Sequence, residues 1–213
     1  MKRPAFMIAN VIVILAIAAA AQETRSEIAV QGTGQFTNSS SGKDPYASGV
    51  TRRADTTGGF LVSYRYRLWR WLAVEGNYGF ARNSLQYSTA YGLYSGDAYM
   101  HQATAGVVVN LPATTRFKFS PYLLADGGAL IFNPTSSGFR TTGGFSTYPT
   151  AARQTKAVFI YGGGADFPLT KRLSFRAEYR GMVYHAPDFG VSTLTTGAVT
   201  HTAQPSAGIV FRF

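Results

Sequence analysis

Hydrophobic and polar residues alternate with a period of two along most of the chain. In the stretch LAVEGNYGFA at 72–81, Leu72, Val74 and Tyr78 lie on one face, whereas Glu75 and Asn77 lie on the other. Because neighbouring side chains of a β-strand point to opposite faces, this pattern predicts strands with one apolar face. Eight such segments lie at 28–36, 60–67, 72–81, 102–109, 120–132, 158–167, 173–183 and 206–213. The chain is therefore predicted to be all-β.

The connections between these segments alternate in length. Long, polar connections rich in Ser, Thr, Gly and Tyr lie at 37–55, 82–97, 133–156 and 185–200, and short ones lie at 68–70, 111–118 and 168–172. Soluble sandwiches and lipocalins also have alternating strands, but nothing in those folds sorts the connections in this way. Short turns at one end and long loops at the other are typical of a transmembrane barrel, whose tilted strands of about ten residues span a bilayer.

The polar face of the segments carries charges of both signs, whereas the other face is aromatic and aliphatic. So many Tyr and Phe side chains would not fit inside eight strands. We therefore expect the apolar face to contact lipid and the charges to face the interior. The segment 120–132 is ambiguous in phase. Asp126 is assigned to the inward face, with Tyr122, Leu124 and Gly128, because a lipid-facing Asp would be costly.

The inward charges are predicted to form one hydrogen-bonded network. Arg65 and Glu75 are about equally far from the first short turn, and Asp166 and Arg176 have the same relation to the third. Unpaired charges in so narrow an interior would carry a large desolvation cost. The predicted members of the network are Arg65, Glu75, Asp166, Arg176, Glu178, Arg180 and Arg212.

Aromatic residues gather at the predicted strand ends beside the short turns. This placement is typical of the aromatic girdle that outer-membrane barrels have at the membrane–water interface. The predicted periplasmic girdle comprises Tyr64, Tyr66, Trp69, Trp71 and Phe167, and Phe211 and Phe213 end the chain on the same side.

Residues 1–21 have the three parts of a secretory signal peptide. Lys2 and Arg3 precede an apolar run from about Ala5 to Ile17, which small residues follow at 18–21. We expect cleavage after residue 21, so that 22–213 forms the barrel domain of an exported protein. An uncleaved membrane anchor is the alternative, since the run is nearly long enough to span a bilayer.

Composition narrows the chemistry. Cysteine is absent, which excludes disulfides, thiolate metal sites and Cys nucleophiles. The formal net charge is +10, but the basic residues are scattered singly or in pairs, and no nucleic-acid-binding motif is present. His101, His185 and His201 lack a nucleophile elbow or metal-ligand spacing. We expect no catalytic residue, no cofactor, no metal and no nucleic-acid partner.

Four stretches carry a resemblance to a known family: LAVEGNYGF at 72–80, HQATAGVVVNLP at 101–112, GGGADFPLTKRLSFRAEYRG at 162–181, and the terminal GIVFRF. With them, residues 26–213 resemble the small eight-stranded outer-membrane barrels of the OmpA/OmpX type, barrel domain only. The resemblance implies an antiparallel up-and-down transmembrane β-barrel, and we expect a monomer. It also implies an assembly signal, formed by Ser206, Gly208, Phe211 and Phe213, that the barrel-insertion machinery reads.

Two functions are compatible with this fold. The first is a non-enzymatic integral outer-membrane protein that serves a structural or surface-display and adhesion role through four long extracellular loops. Its expected partners are outer-membrane lipid and the phosphates of lipopolysaccharide, because the long loops carry more basic than acidic residues. The alternative is a lipid-A-modifying enzyme or a narrow small-solute channel.

Overall fold

The computed structural model describes residues 25–90, 92–112, 119–135, 140–142 and 151–213. The predicted signal peptide lies outside these residues. The described chain forms a single 11-stranded sheet, and one 3-10 turn at Ser192–Leu194. The strands are β1 Ser26–Thr37, β2 Ser40–Lys43, β3 Gly49–Ala54, β4 Thr57–Arg67, β5 Leu72–Thr89, β6 Gly92–Asn110, β7 Ser120–Pro134, β8 Arg140–Thr142, β9 Gln154–Pro168, β10 Leu173–His185 and β11 Val199–Arg212.

Eight of the strands close into an antiparallel barrel, as predicted. Their order is β1, β4, β5, β6, β7, β9, β10 and β11, and β11 pairs again with β1. Val30 of β1 lies opposite Val62 of β4 on one side and Ile209 of β11 on the other. The closure continues to the last residue, since Phe213 donates to the carbonyl of Ser26 at 3.0 Å. Closure leaves no unpaired strand edge in the barrel wall.

The strands extend further on the long-loop side than predicted. β5 has 18 residues and β6 has 19, so the predicted loop at 82–97 is mostly a continuation of this hairpin. β2 and β3 add a second hairpin, which pairs with the upper part of β5. None of the described residues forms a helix that is long and apolar enough to cross a membrane.

The prediction of a loop at 82–97 was wrong because the polarity of the two faces inverts along β5. At Tyr78 and Phe80 the outer face is apolar, but from Arg82 onward the outward residues are polar. On the inner face, Leu85 and Tyr87 are fully buried. The alternation therefore continues with its apolar side chains turned inward, as in a soluble barrel. A strand predicted from an apolar outer face ends at residue 81, whereas β5 continues to Thr89.

In the half of the barrel nearer the short turns, the inner face is polar and the outer face is apolar. Val30, Leu123 and Phe159 are more than half exposed on the outside. Tyr122, Leu124 and Asp126 of β7 are buried on the inside, in agreement with the assigned phase of that strand. The apolar belt is the surface that a lipid bilayer would cover.

Gly208 permits close contact between the first and last strands. It lies opposite Gln31, and a Cβ added at Gly208 would clash with the carbonyl oxygen of Val30. Gly32 of the same strand pair differs, because a Cβ there would find only the carbonyl oxygen of Ala207, at 4.0 Å. The seam therefore needs glycine at position 208 but not at position 32.

We expect Gly208→Ala to lower the free energy of unfolding by roughly 1–3 kcal/mol, because a backbone atom cannot move aside cheaply. Gly32→Ala, the matched control, should leave stability unchanged or slightly higher. Both can be measured by urea unfolding of the refolded protein in detergent micelles. This assay contains no insertion machinery, so it reports packing separately from the predicted assembly signal. Equal stability of the two variants would contradict the proposed clash.

Candidate functional site

The short-turn half of the barrel interior holds a network of buried charges. Glu75 lies at its centre and accepts four hydrogen bonds. Arg65 donates two of them, from Nε at 3.0 Å and Nη2 at 2.8 Å. Arg180 Nη2 donates from 2.9 Å and Asn77 Nδ2 from 3.1 Å. Arg65 and Glu75 are register partners in β4 and β5, so the strand pairing itself brings them together.

Arg180 links this centre to two more carboxylates. Its Nη1 donates to Asp126 Oδ2 at 3.0 Å, and its Nε donates to Glu178 Oε1. Asn77 also donates to Asp126 Oδ2, at 3.1 Å. The Arg180 guanidinium is completely buried, and each of its three nitrogens has a carboxylate partner.

A second group of charges lies closer to the short turns. Arg176 binds Asp166 through two parallel hydrogen bonds of 2.7 and 2.9 Å, the geometry that a guanidinium and a carboxylate favour. Arg212 donates to Asp166 at 2.8 Å and to Glu27 at 3.2 Å. Arg65 Nη1 lies 3.4 Å from Glu27, so this group and the Glu75 group form one network.

Tyr122 lies between the two groups. Its ring centroid is 4.3 Å from the guanidinium carbon of Arg65 and 5.2 Å from that of Arg176, and its hydroxyl donates to Glu178 at 2.6 Å. The ring faces two cations and its hydroxyl meets an anion, as the charge distribution of a phenol favours.

The structure brings together all seven charges assigned to the interior: Arg65, Glu75, Asp166, Arg176, Glu178, Arg180 and Arg212. The sequence prediction omitted several partners, among them Glu27, Asn77, Asp126 and Tyr122. Glu27 has the same parity as Gln31 and could have been found from the alternation. Asp126 was assigned inward but not to the network. The role of Tyr122 had no sequence signal, because an inward Tyr is equally compatible with simple packing.

Neutral amides fill the middle of the barrel. Gln204 Nε2 donates to Gln102 Oε1 at 3.3 Å, and Ser206 Oγ donates to Gln31 Oε1 at 3.0 Å. All four side chains are buried. Ser206 therefore has a packing partner in the interior, whereas its predicted role in assembly stays a prediction.

The long-loop half of the interior is mainly apolar, although Arg52 and Asn83 are also buried there. Leu85, Met100, Leu130, Phe132, Ile160 and Met182 are buried there with the two tyrosines Tyr87 and Tyr184. Phe189 and Leu194, from the connection between β10 and β11, close this half from above and are fully buried. Phe132 makes an edge contact with Phe189, with ring centroids 6.4 Å apart.

Hydrogen bonds hold this closing segment in place. Tyr87 donates to the carbonyl of Pro187 at 2.8 Å. Gln154 donates to Asp188 Oδ1 at 2.7 Å and accepts the backbone N–H of Asp188 at 2.9 Å. Burial raises the pKa of Asp188, but hydrogen bonds from Gln154 and Gly190 outweigh burial and hold that pKa below its usual value. Because the pKa of Asp188 is lower in the folded state than in the unfolded chain, its ionised carboxylate stabilises the fold at pH values above the unfolded pKa. This stabilisation is lost as the pH falls through the folded pKa, so the segment is anchored at neutral pH.

The predicted aromatic girdle surrounds the short-turn end of the outer face. Trp69 and Trp71 are more than half exposed and stack with their centroids 6.0 Å apart, and Phe211 and Phe213 also pack on each other at 6.0 Å. Tyr64 and Phe167 are exposed on the same face, and Tyr66 is partly so. The contact of these rings with a membrane interface stays a prediction.

The histidines in the upper part of the outer face have tyrosine partners. His101 Nδ1 lies 2.8 Å from the hydroxyl of Tyr78, and His201 Nε2 lies 3.0 Å from that of Tyr161. No pattern in the sequence predicts these pairs. Within the described residues, no three His, Cys, Asp or Glu side chains are grouped as a metal site would require.

We expect Glu75→Ala to cost roughly 3–5 kcal/mol of unfolding free energy, because it leaves the guanidiniums of Arg65 and Arg180 buried without their shared acceptor. Asp97→Ala is the control. It breaks the 2.7 Å ion pair with Arg82, which is exposed on the long-loop side, and should have little effect. Urea unfolding in micelles measures both variants. A similar loss in both would mean that burial of the network does not matter.

The fold agrees with solved outer-membrane barrels. OprG from Pseudomonas aeruginosa is similar over 90% of this chain and 97% of its own, with a TM-score of 0.58 and 14% identity. Neisserial surface protein A is similar over 87% of this chain and 97% of its own, with a TM-score of 0.50 and 15% identity. At these identities the likeness shows the fold alone.

Sequence comparison identifies the family. No curated protein matches this chain. Residues 7–209, nearly the whole sequence, match the family described as "Outer membrane protein beta-barrel domain". The inverted faces and the closed eight-stranded wall are those of such a barrel. The chain belongs to the outer-membrane β-barrel protein family.

Proposed function

We propose that this barrel is a non-catalytic integral protein of the outer membrane, closed along its interior, that acts through its long-loop surface in a structural or surface-display and adhesion role. One observation carries the proposal: side chains fill every level of the interior. The charge network occupies the short-turn half, buried amides occupy the middle, and an apolar core occupies the long-loop half.

Each level resists the passage of water in its own way. Opening the charge network would expose guanidiniums and carboxylates whose hydrogen bonds satisfy one another, at a high free-energy cost. Opening the apolar half would require the segment with Phe189 and Leu194 to leave its pocket. A solute path would need both changes together, which argues against the channel alternative.

The outer-surface chemistry argues against the enzyme alternative. His101 and His201 lie on the outer face with tyrosine partners, and each lacks a carboxylate partner among the described residues. A Ser–His–acid mechanism needs an acid that orients the histidine.

Orientation and export are part of the same proposal. Short turns face the periplasm and long loops face the outside in barrels of this kind. The segment 1–21 would direct export and be removed, and the last strand would be read by the insertion machinery. The aromatic residues around the short turns support this orientation.

The refolded protein should show no steady single-channel current in planar bilayers, and its expression should leave the lipid A mass spectrum unchanged. A stable open channel would overturn the closed-barrel reading. A new lipid A species that depends on expression would establish the enzyme instead. A matched control is the protein with Gly32→Ala, which changes the wall without changing the interior charges.

We also propose that the long-loop surface binds phosphates of lipopolysaccharide. Arg53, Gln86, Ser95 and Arg140 are register neighbours across β3, β5, β6 and β8, and all four are exposed. The two arginines stand roughly 14 Å apart on this row, just beyond the apolar belt. Polar residues between two cations form a surface to which phosphate groups can bind.

The loop charges do not all contribute to this surface, contrary to the sequence expectation. Arg52 is buried opposite Tyr87, so its charge does not reach the surface. Asp44 is also buried. Arg82 is exposed but paired with Asp97. The alternation within β3 explains the outcome, since Arg52 points inward and Arg53 points outward.

We expect Arg53→Gln with Arg140→Gln to weaken lipopolysaccharide binding by at least about tenfold, because each cation near an anionic surface contributes about 1 kcal/mol. Lys171→Gln with Arg172→Gln removes the same charge at the opposite end and should change binding little. Calorimetric titration of lipopolysaccharide into the detergent-solubilised protein compares them. Equal binding by all three proteins would remove the proposal.

A further inference from the structure

A blind cavity opens at the short-turn end of the barrel, below the charge network. Its volume is about 320 Å³, and its lining includes five arginines and two carboxylates. Two of the arginines, Arg65 and Arg212, belong to the charge network, and the others are Arg25, Arg67 and Arg70. We call this cavity the vestibule.

The carboxylates of the vestibule are already occupied by the network above it. Glu27 accepts from Arg176 and Arg212 and lies 3.4 Å from Arg65. Asp166 accepts from Arg176 and Arg212. These two acids are therefore already paired within the network, and they do not neutralise the arginines at the rim of the vestibule.

Arg67 and Arg70 supply the rim charge. Neither forms an ion pair with any residue in the part of the chain that the structure describes. The backbone N–H of Arg67 donates to the carbonyl of Arg25 at 2.8 Å, which brings a third vestibule arginine alongside. Ser26 and Asn110 add neutral hydrogen-bonding groups to the lining.

In the turn Arg67-Leu68-Trp69-Arg70-Trp71, the apolar side chains lie on the outer surface and the arginines line the vestibule. Leu68, Trp69 and Trp71 are exposed, and the two indoles stack. Arg67 and Arg70 line the vestibule, where Arg67 is half-buried and Arg70 is exposed at the rim. Since paired tryptophans favour the membrane–water interface, the turn would hold the vestibule opening at the depth of lipid headgroups.

We propose that the vestibule binds a phosphate group. Guanidiniums bind phosphate through paired, charge-assisted hydrogen bonds, and several arginines that line one space can each contact a different oxygen of a tetrahedral anion. The volume is at the small end of ligand pockets, so the ligand is a phosphate or a small phosphate-bearing headgroup. Two sources supply this chemistry: an anionic phospholipid of the adjacent leaflet, and a soluble phosphate.

The test compares two double variants that remove the same charge at the same end of the barrel. Arg67→Gln with Arg70→Gln alters the vestibule rim, whereas Lys171→Gln with Arg172→Gln alters the third short turn, which does not line it. Inorganic phosphate is titrated into each protein in alkyl maltoside micelles, which contain no phosphate, and arginine side-chain N–H signals are followed by NMR.

We expect saturable phosphate binding by the wild type, weakened at least about tenfold in the rim variant and unchanged in the turn variant. Equal weakening in both variants would mean general charge attraction and would overturn the proposal, as would absent binding or an unaffected rim variant. A second titration with dihexanoyl phosphatidylglycerol identifies the source. Tighter binding than that of inorganic phosphate assigns a lipid headgroup, and equal or weaker binding assigns a soluble phosphate.

Discussion

Eight strands enclose only enough space for side chains, so a charge placed inside is costly unless it finds a partner there. Arg180 shows how strict this constraint is, because its three nitrogens contact three different carboxylates. These partners come from β5, β7 and β10, so one guanidinium ties together strands on different sides of the barrel. Such a network adds little net stability compared with an apolar core, but it penalises any other strand register.

The same constraint explains why the polarity of the wall inverts. Where lipid would cover the outside, apolar residues are placed outward and the interior must be filled by paired polar groups. Beyond Arg82 the outer face is polar, and Leu85 and Tyr87 can then point inward. The interior changes from charged to apolar along the barrel, with buried amides such as Gln102 between. At each height along the barrel, the polarity of the inward side chains is thus opposite to that of the outward side chains.

Much of the fold followed from periodicity, because β-strand side chains alternate regardless of what they contact. Strand positions, the inward charges and the Arg65–Glu75 and Asp166–Arg176 pairs could all be predicted from parity and distance to a turn. The extensions of β5 and β6 could not be predicted, because the outer face of β5 is polar beyond Arg82, whereas the predicted strands have an apolar outer face. The cross-barrel contacts of Tyr122 could not be predicted either, since they depend on the diameter of the barrel rather than on neighbours along the chain.

The network also determines where the basic excess of the protein must lie. Its carboxylates are Glu27, Glu75, Asp126, Asp166 and Glu178, against four guanidiniums. Outside the network the buried Arg52 is matched in number by the buried Asp44, so the buried residues contribute no positive charge to the total. The apolar belt contributes none, because charge facing lipid is costly. The formal net charge of +10 must therefore come from the two ends of the barrel and from residues outside the described ranges. At the long-loop end the cations form an open row that includes Arg53, whereas at the short-turn end Arg67 and Arg70 converge on one cavity. A row suits an extended anionic surface and a cavity suits a single anionic group, so the ligands proposed for the two ends differ in shape although both ends carry basic residues.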